Sequence, residues 1–208
     1  MKGLLLKDFY MAVKYCRAYL LLAVVFIAVS FAGDDNLFFI FYPCLLCGMI
    51  PVNLLAYDER SKWMQYSATL PYSRAQIVSA KYLVGMIAQV LMILATGAAQ
   101  MVRMHMSGTF VLGDLLVLML MLLALSTVTS SVSLPFMFKW GVEKGRIAYY
   151  VMIGVVCGGS VAASALLRGS AQEQIQPDGI LPVLALGGIG LYALSWYLSV
   201  RFYEKREL

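Results

Sequence analysis

The chain has 208 residues, of which 62% are hydrophobic and only 13% charged, and its mean hydropathy is +0.81. A soluble domain carries about 25% charged residues, so this composition excludes a soluble globular protein and indicates an all-α polytopic membrane protein. The net charge of +5 and pI near 9.0 would suit a nucleic-acid binder, but basic residues in a membrane chain serve first to hold loops in the cytoplasm, and no nucleic-acid partner is expected.

Residues 1–17 are amphipathic. Leu4, Leu5, Phe9, Ala12, Val13 and Cys16 recur at helical spacing, while Lys2, Lys7, Asp8, Lys14 and Arg17 are charged. The pattern predicts an interfacial helix with its basic face toward headgroups, either anchoring the first span or also bracing a cytoplasmic partner. Ser30-Phe31-Ala32 resembles a signal cleavage site, but an amphipathic segment with Asp8 before it argues for a retained N-terminus.

Six apolar stretches follow, at about 18–32, 37–56, 80–102, 110–134, 147–167 and 180–200. Pro43 and Pro51 interrupt the second, where neighbouring helices can satisfy the freed carbonyls. The fourth ends in a run of hydroxyls from Ser126 to Ser133, able to bond their own helix or a neighbour. In the fifth, Gly154, Gly158 and Ala162 recur at four-residue spacing and form a small-residue face suited to close helix packing. Cys44, Cys47 and Cys157 lie inside apolar stretches as small hydrophobes.

The longest polar interruption, residues 57–81, holds Asp58, Glu59, Arg60, Lys62, Arg74 and Lys81. Each such charge costs about 2.5–3.5 kcal/mol at the bilayer centre, so the segment lies in water. Asp58 is placed to cap a short helix, with Glu59 near its positive end and Lys62 further along. Trp63, Tyr66 and Leu70 recur on one side of it, and Leu70-Pro71 ends it. Ser73 and Gln76 have the spacing of a capping box, which predicts a second helix running through Lys81 into the third span. A second polar loop, residues 135–146, carries Lys139, Glu143, Lys144 and Arg146.

Fourteen of the 16 Lys and Arg residues fall on residues 1–17, these two loops and the C-terminal tail. Only Arg103 and Arg168 lie on the alternate side. Six spans with both termini in the cytoplasm fit this asymmetry.

Chemistry of other kinds finds little support. There is one histidine, His105, no Gly-x-Ser-x-Gly elbow and no phosphate-binding loop of the G-x-x-x-x-G-K-[ST] type. Cys44-x-x-Cys47 has redox spacing but lies in an apolar helix without companion ligands. The acidic residues all map to loops or helix ends, Asp8 among them, so no ion-coupling site within the membrane is expected. The chain is not expected to be an enzyme or to hold a metal or cofactor, and energy for transport would enter through a partner.

The run Asp58-Glu59-Arg60, Trp63, Tyr66, Thr69-Leu70-Pro71-Tyr72-Ser73-Arg74, Ile77-Val78 and Lys81-Tyr82 resembles the first cytoplasmic loop of type-two ABC exporter permeases of bacteria. It is similar to the short six-span kind, including permeases of phenol-soluble modulin exporters, and residues 139–146 resemble that group's second cytoplasmic loop. The resemblance implies one permease domain over residues 1–208 in the bacterial cytoplasmic membrane. That domain would be a dimer of permeases bound to separate ATP-binding subunits, which would hold ATP and Mg2+. It implies that residues 58–70 are the coupling helix seated in the ATPase, with Trp63 and Tyr66 as buried anchors. Asp58, Glu59, Arg60 and Arg74 would then be polar contacts or internal caps; topology anchoring is the alternative for Arg60, Lys62 and Arg74. It further implies amphipathic peptide or lipid-like cargo. A lipid or antibiotic exporter, or a receptor or immunity scaffold that transports nothing, shares the same sequence features. The 13 methionines and 12% aromatics fit either an adaptable passage or ordinary packing.

Overall fold

The computed structural model describes residues 2–31, 37–67, 69–145, 147, 150, 151, 154 and 177–205, and the described residues are helical with no strand. Two helices, α1 (Lys2–Tyr15) and α2 (Arg17–Ser30), meet at a 63° bend at Cys16. α3 (Leu37–Gly48) and α4 (Ile50–Arg60) are separated at Met49, and Pro51 begins α4, where its missing N–H costs no intrahelical bond. A single turn and a half, α5 (Trp63–Ser67), precedes α6 (Arg74–Met106). α7 (Leu112–Trp140) and α8 (Pro177–Glu204) follow, and between them residues 142–145, 147, 150, 151 and 154 are helical as well.

Among the described residues three helical stretches are long and apolar enough to cross a membrane: Phe39–Arg60, Arg74–Met106 and Leu112–Trp140. The bent pair α1–α2 makes four if counted as one span. The protein is therefore an all-α polytopic membrane protein. The expected sixth span falls on α8. Most of the expected fifth span, with Gly158 and Ala162, lies outside the described residues, as does Arg146. Gly154 is described, is exposed and has no atom within 4 Å of where a Cβ would stand.

α7 differs from the reading of the sequence. It passes through Pro135 and ends at Trp140, so Lys139 stands on its last turn; the expected loop shrinks to a break at Gly141, after which residues 142–145 are helical again. Proline removes one backbone bond, but tight packing of Leu134, Met137 and Phe138 against α4, α6 and Tyr203 of α8 holds the helix together beyond it. Gly141 then takes φ +85°, a left-handed conformation that glycine adopts without steric cost, and turns the chain back.

The largest core sits at the end of the bundle that carries the 57–81 loop. It joins Leu4 of α1, Val52 and Leu55 of α4, Val78 and Tyr82 of α6, Phe138 of α7 and Tyr203 of α8. α6 and α8 are joined by the Tyr82 hydroxyl, 2.7 Å from both Ser195 Oγ and Ser199 Oγ, and by the Trp196 ring stacked on Tyr82. At mid-depth Gln89 of α6 donates to Ser130 Oγ (2.5 Å) and to the Ser126 carbonyl (3.1 Å) of α7; Ser130 in turn donates to the Gly48 carbonyl of α3. These hydroxyls thus serve both purposes expected of them, since Thr127 and Ser133 bond carbonyls of their own helix. At the far end Arg103 donates to the Ser30 carbonyl at 3.1 Å, closing the C-terminus of α2.

Candidate functional site

The chemistry of this molecule gathers where α1, α4, α5 and α6 converge. Lys81 Nζ lies 2.6 Å from Asp8 Oδ1 and 2.5 Å from Asp58 Oδ2. Lys7 Nζ lies 2.8 Å from Asp58 Oδ1 and 3.4 Å from Asp8 Oδ1. Asp8, Asp58 and Lys81 are each no more than 2% exposed. Two carboxylates and two ammonium groups form a formally neutral set. Burying any one of them alone would be prohibitive, whereas the four together satisfy one another.

This set corrects two expectations. Asp8 is not a headgroup-facing charge at a helix end; it is buried in mid-helix, on the same face as Leu4. Asp58 is not the cap of a coupling helix. It belongs to the last turn of α4, held inward by Lys7 and Lys81, so α4 continues to Arg60. The chain then turns at Ser61 and Lys62, the latter at φ +52°, a strained position for a residue with a Cβ. The expected 58–70 segment is accordingly not one helix: its first three residues end α4, and past the turn it holds α5, five residues long.

The two expected anchors part company on α5. Trp63 is half-buried, packs against the main core, and has the Lys7 ammonium 3.9 Å above its ring. Such cation–π contacts contribute about 0.5–2 kcal/mol. Tyr66, its ring 5.4 Å away, is 58% exposed. Arg60, Lys62, Gln65 and Pro71 are exposed with it, and Leu70 is half-buried. The exposed residues of this loop therefore include Tyr66 and two cations, Arg60 and Lys62.

Past α5 the capping box expected at Ser73 is present: the Gln76 N–H donates to Ser73 Oγ (3.3 Å) and the Ser73 N–H to Gln76 Oε1 (3.2 Å). α6 then runs through Lys81 without interruption. Arg74 turns aside from the surface and donates to the carbonyls of Glu204 (2.9 Å) and Tyr203 (3.3 Å), capping the C-terminus of α8.

Glu59 joins the two loops, accepting at Oε2 from the Val142 N–H at 2.8 Å. Between them lies a cleft of about 610 Å³ lined by Asn53, Tyr57, Arg60, Trp140, Glu143 and Lys144 among others. Glu143 and Lys144 are exposed at its rim, and Lys139 sits 5.3 Å from the Trp140 ring and 5.1 Å from Phe202. Gly145 allows this return: a Cβ there would stand 2.9 Å from Met137 Cα and closer still to its side chain.

The fold and this site define a polytopic membrane protein whose polar face is a pair of loops locked to a buried charge set and, through α6, to the bundle. The chain belongs to the ABC-2 family of transporter proteins, whose family model (ABC-2 family transporter protein) matches residues 3–204. No curated protein matches the chain. It is thus a permease component of an ABC transporter, a transport chain of the kind that pairs with an ATP-binding cassette subunit.

Proposed function

We propose that the chain acts as a dimeric permease that exports amphipathic peptides from the bacterial cytoplasm, driven by separate subunits that bind ATP and Mg2+. The exposed face of Arg60, Lys62 and Tyr66, with Glu143 and Lys144 beside it, receives the ATP-binding subunit. The observation that carries this reading is Tyr66, a large aromatic left 58% exposed on a loop that also exposes Arg60 and Lys62 and is otherwise pinned by buried charges. Exposed aromatics of this kind are common interface hot spots, and a rigid mount limits the entropy lost when they dock. The test is co-purification of the chain with a separately tagged ATP-binding subunit, followed by ATP hydrolysis in nanodiscs. Amphipathic helical peptides are expected to stimulate hydrolysis. Stimulation by lipids or small drugs and not by peptides would refute the cargo assignment, and failure to co-purify would refute the docking face.

A further inference from the structure

α7 and the helical stretch that begins at Val142 are joined by one residue, Gly141. Its N–H ends α7 on the Met137 carbonyl (2.9 Å), and its own carbonyl accepts from the Gly145 N–H (3.0 Å), the first bond of the next helix. Gly141 thus caps one helix and starts another. An N-cap residue normally offers a side-chain oxygen to the orphan N–H groups of the first turn, and glycine has none. The missing acceptor comes from 83 positions away, where Glu59 Oε2 takes the Val142 N–H at 2.8 Å. A carboxylate in this place also faces the positive end of the helix dipole. Glu59 follows Asp58 on the last turn of α4, and the two acids serve different elements. Successive residues on a helix point about 100° apart: Asp58 meets Lys7 of α1 and Lys81 of α6, and Glu59 meets the 141–145 return. Asn53, Tyr57 and Arg60 of α4 and Val142, Glu143 and Lys144 of the return share the lining of the 610 Å³ cleft, so the carboxylate bridges the two elements at an opening. Val142 itself is 5% exposed and belongs to the main core with Val78 and Phe138.

We infer that Glu59 is a positioning residue for energy coupling: as a cap supplied from α4, it makes the helical stretch starting at Val142 follow the 57–81 loop when the ATP-binding subunit displaces that loop. This role rests on the docking face proposed above. A push at Tyr66 reaches α6 through Asp58 and Lys81, and it reaches the stretch beyond Gly141 through Glu59. One contact on the loop therefore moves elements on two sides of α4. Gly141, at φ +85° and without a Cβ, lets the stretch change its angle to α7.

Hydrogen exchange on the full chain in nanodiscs tests the cap first, without any partner. Glu59→Leu should speed exchange at Val142 at least about fivefold, the size of a lost N-cap. Glu59→Gln, which keeps an oxygen in place, should restore most of the protection. Unchanged exchange in Glu59→Leu, or no rescue by Glu59→Gln, would overturn the cap. The second measurement adds the tagged ATP-binding subunit and a non-hydrolysable ATP analogue. In wild type, exchange should change in both 57–67 and 141–145. In Glu59→Leu only 57–67 should respond, with the subunit still bound. Val142→Pro, which removes the donor at a helix position that suits proline, should silence the return in the same way. A response of 141–145 in Glu59→Leu equal to that of wild type would overturn the transmission role. Loss of the subunit from Glu59→Leu would make Glu59 a docking contact and overturn it too. No response of 57–67 in wild type would refute the docking face and the transmission role with it, and the first measurement would still decide the cap.

Discussion

Lys81 and Asp8, 73 positions apart in the chain, lie 2.6 Å from each other where both are 1% exposed. The contact ties the N-terminal helix to the start of α6, the longest helix among the described residues.

Removing Lys81 leaves two buried carboxylates with only Lys7 between them. Lys81→Met should therefore destabilise the protein by about 3–5 kcal/mol, the usual cost of an uncompensated buried charge. Asp8→Asn leaves Lys81 still paired with Asp58 and should cost less. The double variant should cost clearly less than the two singles added together, because each change relieves the group orphaned by the other. Thermal unfolding in detergent measures all three; strict additivity would mean that the pair is not coupled.

Trp63 and Tyr66 should separate stability from partner binding. Trp63→Ala removes a ring that packs on the core and carries Lys7, and should lower the melting temperature. Tyr66→Ala should leave it unchanged while weakening the ATP-binding subunit by about 2 kcal/mol, some thirtyfold. The comparison needs one unfolding curve and one binding isotherm per variant, and the reverse pattern would place the docking surface elsewhere.

Gly145 has no room for a side chain. Gly145→Val should force the 141–145 return away from Met137, at a cost of about 1–3 kcal/mol, and break the Glu59 bond to the Val142 N–H. Hydrogen exchange at Val142 reads this directly, with faster exchange expected in the variant and unchanged protection counting against it.

Orientation can be read at two exposed serines at opposite ends of the bundle. In a cysteine-free background Ser107→Cys, at the end of α6, should react with an impermeant thiol reagent in intact cells, and Ser61→Cys should react only after lysis. Labelling of Ser61→Cys in intact cells would invert the topology.

Local patterns were the legible part of this chain. The Ser73 and Gln76 spacing specifies a capping box whose bonds close within four residues, and the start of α6 follows from it. The buried charge set was not legible, because every one of its ion pairs except Lys7–Asp8 joins residues of different helices, Lys7 to Asp58 and Asp8 and Asp58 to Lys81. A trace of it existed: Asp8 lies four residues from both Leu4 and Ala12, on the apolar stripe rather than beside the lysines. Asp58 misled for a related reason. Aspartate before a polar run suits an N-cap, but two buried ammonium groups outweigh a cap worth about 1 kcal/mol. Trp63 and Tyr66 share a spacing but not an environment, since Lys7, which covers one ring and not the other, arrives from α1. Pro135 looked like a stop because the packing that carries α7 past it comes from three other helices.

α6 has 33 residues and no break, a rod about 50 Å long. Such a rod acts as a lever. With its pivot near the charge set at Lys81, a tilt of about 5° carries the Met106 end, about 38 Å away, through about 3 Å. Gln89 and Arg103 grip α7 and α2 along its arm, so the same small rotation would displace those helices by amounts that grow with their distance from the pivot. The Met106 end of the bundle would thus move most in response to a displacement at Tyr66 too small to disturb the packing around it.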